Sequence, residues 1–367
     1  VIDMRMELDS LLEKIKQPDA AAMAAAQAYQ QTLAKPPESL GRLETLSIQL
    51  AGITGQVHNR MERTHLLVFA ADNGVVEEGV SSAPQSVTLQ QTINLTRAKT
   101  GASTLCKHFG VGITVCDVGV NATIRDSAVL NRKIAYGTHN IAKGPAMTRE
   151  QAVTAILTGA GVAIHTPADA IGIGEMGIGN TTTSSAVLAV LLDVPVEQVT
   201  GRGGGITDEA FQKKKEVIRR AIETNRPDKT DVVDVLAKVG GFDIAAMCGG
   251  FLGAAATRRP VVIDGFISAV AALCAVRLKP EVQHYLVPSH ASFEIGYRLA
   301  MDAMGLQPML LLGMRLGEGS GCPLAFQVLS AACAIINDMA TFQQAGIDDG
   351  YLDEIRQGDK FTVEDAT

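Results

Sequence analysis

Short apolar runs that stop at an acid or a histidine near a glycine constrain this 367-residue chain more than any other feature. Leu66 to Ala71 runs into Asp72-Asn73-Gly74, Ile113 to Cys116 into Asp117-Val118-Gly119, and Ala170 to Gly174 into Glu175. Pro260 to Ile263 meets Asp264-Gly265, Tyr285 to Val287 meets Pro288-Ser289-His290, and Pro308 to Met314 meets Arg315-Leu316-Gly317-Glu318-Gly319. Apolar runs of strand length, spaced by helix-length segments, predict crossover connections and a buried parallel sheet, an α/β fold. Polar groups at so many strand ends exceed what a buried sheet needs. In open α/β sheets the carboxyl edge is where ligands bind, which predicts a site there.

The flanks read differently. Residues 7 to 34 read as one or two helices broken at Lys35-Pro36-Pro37, with Ser39 as a cap for a helix carrying Leu43, Leu46 and Leu50 on one face. Cys322 to Phe342 reads as a long apolar helix with Pro323 in its first turn. Gly346 to Thr367 reads as an acidic tail or edge helix.

Glycine, at 36 residues, is abundant, whereas aromatic residues make up only 4% and tryptophan is absent. That balance suits close backbone approach, as in nucleotide-handling loops. With 32 basic and 39 acidic residues and no dense basic stripe, nucleic acid is not an expected partner. The six cysteines form no CxxC pair, which argues against a zinc site and a disulfide framework and fits a reducing cytoplasm. Val1 to Lys16, with Asp3, Arg5, Glu7, Asp9 and Glu13, does not read as a signal peptide. The apolar stretch Gly265 to Val276 is too short to cross a bilayer, so no membrane partner is expected.

Three constellations could carry chemistry. Gly172 to Gly179 leads through Asn180, Thr181, Thr182 and Thr183 into an apolar helix, a pattern that offers free amides and hydroxyls to a phosphate. No Gly-Lys-Ser/Thr ends the run, so it is not a P-loop. Gly201-Arg202-Gly203-Gly204-Gly205 precedes a helix with Lys213, Lys214 and Lys215, from which a lysine could reach back to an anion. Glu318 stands between glycines before a helix, where desolvation would raise its pKa and suit it to base work; Glu175 is an equivalent carboxyl. No His or Asp lies at ligand spacing to either, so no metal is expected. Asp72-Asn73-Gly74 with Glu77 and Glu78 reads as a loop of exposed acids, and His290 lacks a nucleophile elbow beside it.

Together these segments resemble the nicotinate-nucleotide–dimethylbenzimidazole phosphoribosyltransferase family of cobalamin lower-ligand activation. The resemblance runs from about Ala20 to Phe342 and is carried by Lys35 to Glu44, Ala71 to Gly79, Gly172 to Thr182, Val239 to Asp243, Asp264-Gly265-Phe266, Pro288-Ser289-His290 and Met314 to Gly321. It implies a Rossmann-like six-stranded parallel sheet flanked by helices, with residues 61–320 as catalytic domain. Residues 1–60 and 321–367 would supply a smaller helical domain and the acidic tail. It further implies transfer of the phosphoribosyl group of nicotinate mononucleotide to dimethylbenzimidazole or an analogue, giving α-ribazole phosphate and nicotinate, with no cofactor and in a dimer.

Residue by residue, the resemblance makes Glu318 the base and Glu175 the carboxyl facing the ribose. Gly177, Asn180, Thr181, Gly203, Gly204 and Lys214 would hold the nucleotide, chiefly its phosphate. Ser82, Ala83, Gln91 and Leu316 would line the acceptor pocket. Three departures stand out: Ala83 where benzimidazole-using relatives carry serine, Gly203-Gly204-Gly205 for Gly-Ala-Asn, and Glu38 for a glycine. The first admits a phenolic acceptor, with the chain as one subunit of a hetero-oligomer. A non-catalytic nucleotide-binding partner subunit is a further alternative, and a nicotinamide-dinucleotide oxidoreductase a weaker one, since the first strand lacks GxGxxG.

Overall fold

Strands that are apolar on both faces must be covered on both faces, and the sheet shows it. In the computed structural model of the chain, which describes residues 4–356, six strands form one sheet in the order β3-β2-β1-β4-β5-β6. They are β1 (Thr64–Ala71), β2 (Gly112–Gly119), β3 (Val129–Asn131), β4 (Ala170–Met176), β5 (Val261–Ile263) and β6 (Leu286–Pro288). Every pairing is parallel. Leu66 to Ala71 and the whole of β4 are buried, so neither strand has a polar face. The chain lays β2 and β3 on one side of β1, then returns to start the other side with β4. The topological switch therefore lies between β1 and β4, where a crevice opens at the carboxyl edge.

The sixth strand is a correction. The predicted strand over Pro308 to Met314 is irregular and meets the sheet edge through a single bridge, His290 to Leu310. Leu311 and Leu312 are exposed, so the apolar run is not a buried one. The sixth place belongs to β3, which pairs with β2 over Val129 to Asn131 and is too short to leave a periodic signal.

Glycine is also used away from loops. The helix Arg149–His165 crosses the helix Phe242–Ala256 at backbone contact. A Cβ on Gly159 would lie 1.8 Å from the Ala246 carbonyl oxygen, and one on Gly249 1.8 Å from that of Ile156. No ring fits such a crossing, which accounts for part of the glycine excess and the shortage of aromatics.

Contacts divide the chain into two compact units. One runs to Gln17 and resumes over Arg63–Phe326; the other joins Pro18–Glu62 to the chain from Gln327 onward. The helix Met4–Lys14 therefore goes with the larger unit, not with the smaller helical part expected over residues 1–60. Its Leu8 and Leu11 are buried, and just beyond it the Tyr285 hydroxyl donates to the Lys16 carbonyl at 2.8 Å. In the smaller unit the helix Arg42–Thr54 is capped at Gly41, not at Ser39. A buried Lys35–Glu44 ion pair of 2.6 Å closes the turn before it. The end of the acidic tail, 357–367, lies outside the described residues.

Candidate active site

Glu175 stands one residue before the end of β4, opposite Phe69 of β1, and thus at the switch point. Gly177-Ile178-Gly179 then turns the chain onto the helix Asn180–Leu192. Gly179, at φ 91°, caps that helix without any side chain. The helix start is left open to an anion. A cavity of about 210 Å3 opens at this edge.

Two acids line it. Glu175 Oε1 accepts from the Glu318 backbone N–H at 3.1 Å, and its Oε2 accepts from Asn180 Nδ2 at 2.5 Å. Burial, reinforced by Asp243 and Asp264, pushes the Glu175 carboxyl up to about 8 despite these bonds. Glu318 is held on a loop in which Gly317, Glu318 and Gly319 take φ values of 90°, 63° and 85°. The left-handed turn costs Glu318 roughly 1–2 kcal/mol, and the glycines beside it are obligatory. A Cβ on Gly317 would sit 2.6 Å from Glu175 Oε1, and one on Gly319 2.5 Å from Leu66 Cδ1. Asp264, at the end of β5, pins the same loop by accepting from the Gly319 N–H at 3.0 Å and the Gly321 N–H at 2.8 Å. The Glu318 carboxylate in turn accepts from the Ala102 N–H at 3.1 Å, at the start of the helix Gly101–Phe109. Burial raises its pKa, and those amides oppose the rise.

The phosphate-like end is built on the next glycine run. Thr181, Gly203 and Gly204 line the cavity, and Lys214 lies behind them, 1% exposed. Its Nζ donates to Thr181 Oγ1 at 2.9 Å and to the Gly201 carbonyl at 3.0 Å. Burial lowers its pKa to about 8, with Glu294 acting the other way. An ammonium so poorly neutralised favours an incoming anion.

The structure brings Glu175, Glu318, Gly177, Asn180, Thr181, Gly203, Gly204, Ser82, Ala83 and Leu316 to one cavity, but not Gln91. Gln91 sits on the helix Ser86–Thr96 and accepts from Asn94 Nδ2 at 3.0 Å. Contrary to the reading of this loop as exposed acids, Asp72 and its neighbour Asn73 are buried and Glu78 is partly buried against Arg220; Glu77 is exposed as expected and pairs with Lys143. Sequence reasoning gave no role to Asp243, Glu294 or Arg315; Glu294 and Arg315 line the cavity, and Asp243 bonds Asn180 behind it. The one signal for Asp243 was its place in Val239 to Asp243. Among the described residues, no three His, Cys, Asp or Glu side chains are grouped to hold a metal, and no helix is long and apolar enough to cross a membrane.

A family profile described as phosphoribosyltransferase matches residues 15–347. The chain is 46% identical over 361 residues to the nicotinate-nucleotide–dimethylbenzimidazole phosphoribosyltransferase of Clostridium tetani, covering 97% of this chain and 99% of that protein. It is 50% identical over 346 residues to the enzyme of that name from Ruminiclostridium cellulolyticum, covering 94% and 98%. The crystal structure of the enzyme of the same name from Thermus thermophilus superposes with a TM-score of 0.85 at 39% identity, over 90% of this chain and 100% of that one.

Proposed function

We propose that the chain, which belongs to the nicotinate-nucleotide–dimethylbenzimidazole phosphoribosyltransferase family, moves the phosphoribosyl group of nicotinate mononucleotide onto dimethylbenzimidazole. The products are α-ribazole phosphate and nicotinate, and the reaction serves cobalamin lower-ligand assembly. One observation carries the reading at the site. Two buried carboxyls, Glu175 and Glu318, line one cavity with Thr181, which stands in the first turn of a helix and is backed by Lys214.

The chemistry follows from that layout. The phosphate lies against the helix start at Thr181, with Lys214 behind it and no side chain on Gly203 or Gly204 to obstruct it. Asn180, whose N–H donates to the Gly177 carbonyl, borders it. The bond from C1′ to the pyridinium nitrogen breaks, and its electron pair leaves with nicotinate. One ring nitrogen of the azole attacks C1′ while the proton on the other passes to Glu318. Glu175 faces the sugar carbon as it gains positive charge, and an ionised carboxylate there lowers the barrier. Ser82, Ala83 and Leu316 border the acceptor; Gln91 would have to turn from Asn94 to reach it.

The relatives described above are named for dimethylbenzimidazole, so the phenolic acceptor admitted by Ala83 finds no support among them. The direct test incubates the protein with nicotinate mononucleotide and dimethylbenzimidazole, adenine or phenol in turn, and follows nicotinate by chromatography. Release with dimethylbenzimidazole is expected. No release with any acceptor would sink the transferase reading.

The assembly we infer is a homodimer in the cytoplasm. Phe293, Ile295, Leu311, Leu312 and Leu316 are each more than half exposed, the Phe293 N–H donates to the Met314 carbonyl and so joins their two segments, and Leu316 lines the cavity. A second copy would cover these side chains. Sedimentation should give a dimer that Leu311→Asp with Leu312→Asp converts to a monomer; an unaltered dimer would rule out that contact.

A further inference from the structure

Behind the cavity, the crevice between β1 and β4 holds a carboxyl that the transfer scheme leaves unused. Asp243 lies in the first turn of the helix Phe242–Ala256 and is fully buried. Its Oδ1 accepts from the Ile244 N–H at 3.0 Å, and its Oδ2 from Asn73 Nδ2 at 3.3 Å and from Asn180 Nδ2 at 3.1 Å. The same Asn180 nitrogen donates to Glu175 Oε2 at 2.5 Å. An amide nitrogen has two hydrogens, and here each is directed at a carboxyl. Flipping that amide would turn its oxygen toward both acids, so Asp243 fixes it.

We propose that Asp243 is a positioning residue for the transfer: by anchoring the Asn180 amide it sets the orientation and charge of Glu175, the carboxyl facing C1′. The proposal rests on the transferase reading above. The cluster leaves no slack. A Cβ on Gly241 would lie 2.4 Å from both Asn73 Oδ1 and Asp243 Oδ1, and one on Gly177 2.5 Å from Asp243 Oδ2. Asn73 follows β1, Asn180 follows β4, and Asp243 starts the helix that covers them, so the network spans the two strands beside the switch point. The ionisable groups that face Glu175 are Asp243 and Asp264, both acids that hold its proton on; Glu318 meets it through its backbone N–H. Asp243 itself is pushed up to about 6 by burial.

Asp243→Asn removes a negative charge beside Glu175, so Glu175 gives up its proton at lower pH. The acid limb of the kcat profile for nicotinate release should move down by about half a pH unit or more. At the optimum kcat should fall about tenfold or more, with KM for nicotinate mononucleotide within about threefold of wild type. In a Glu175→Gln background the same change should cost less than about twofold, because its effect runs through Glu175. Asn73→Ala, which strips one donor from Asp243 and leaves the helix start intact, should shift the limb in the same direction and serves if Asp243→Asn does not fold. Carboxyl 13C NMR, with the Glu175 signal assigned by its loss in Glu175→Gln, reads the same titration without turnover. Absence of nicotinate release by wild type thus defeats the transferase reading separately, while the NMR still judges Asp243. Unmoved midpoints in the rate profile and the NMR titration, or a full additive loss in the Glu175→Gln background, would overturn the role of Asp243.

Discussion

At the scale of the residue, the site stores unfavourable ionisation and backbone strain where ligand can use them. Glu175 has a folded-state pKa near 8, raised chiefly by burial, against an ordinary value about 4 units lower. A raised carboxyl contributes stability that is complete below its unfolded pKa and is lost as pH climbs through about 8. Wild type should therefore lose Tm relative to Glu175→Gln between pH 5 and 8.5, by about 2 °C or more. Lys214 is depressed and works the other way, losing its contribution as pH falls through about 8, but both proteins carry it. Parallel Tm curves would place the Glu175 carboxyl at an ordinary pKa. Glu38 offers a second check: it takes φ 59° at the position where the family motif has glycine. Glu38→Gly should relieve strain and stabilise by up to ~1 kcal/mol, read by urea unfolding. A destabilised variant would mean that the Glu38 side chain contributes more than its backbone costs.

Asn180 was legible through a partner near in sequence, and Glu318 through its flanking glycines, although its partners Glu175 and Ala102 lie 143 and 216 residues away. Asn180 is five residues from Glu175, and the glycine run between them already announces a turn onto a helix start. Asp243 is 170 residues from Asn73 and 63 from Asn180, and nothing in its own helix marks it, since an acid in a first turn is an ordinary stabiliser.

At the scale of the element, five apolar runs were placed correctly because burial on both faces leaves a continuous apolar signal. Pro308 to Met314 carries the same signal for another reason: Leu311 and Leu312 face outward, and periodicity does not distinguish an exposed apolar loop from a buried strand. The helix crossing was illegible, since Gly159 and Gly249 lie 90 residues apart and look like poor helix formers until their axes meet. Gly249→Ala should cost about 1–3 kcal/mol or more in urea unfolding, because its Cβ meets backbone that cannot rotate away. Gly161→Ala, in the other helix of the crossing but with open space around its Cβ, should be neutral or stabilising. Equal behaviour of the two variants would contradict the close crossing.

At the scale of the whole molecule, the sheet order places Glu175 beside the switch point, and residues distant in sequence complete the site there. The fold class was readable from strand spacing, and the family from ordered motifs. The division into units was read less well, because nothing in the first helix's sequence shows that it buries Leu8 and Leu11 in the larger unit. In the reaction proposed above, transfer turns on Glu318 as the group that takes the acceptor's proton. The most direct measurement compares wild type with Glu318→Gln for nicotinate release with dimethylbenzimidazole, alongside calorimetric binding of nicotinate mononucleotide. A loss of at least about 10²-fold in kcat with nucleotide binding retained is the predicted result. Turnover near that of wild type would contradict it.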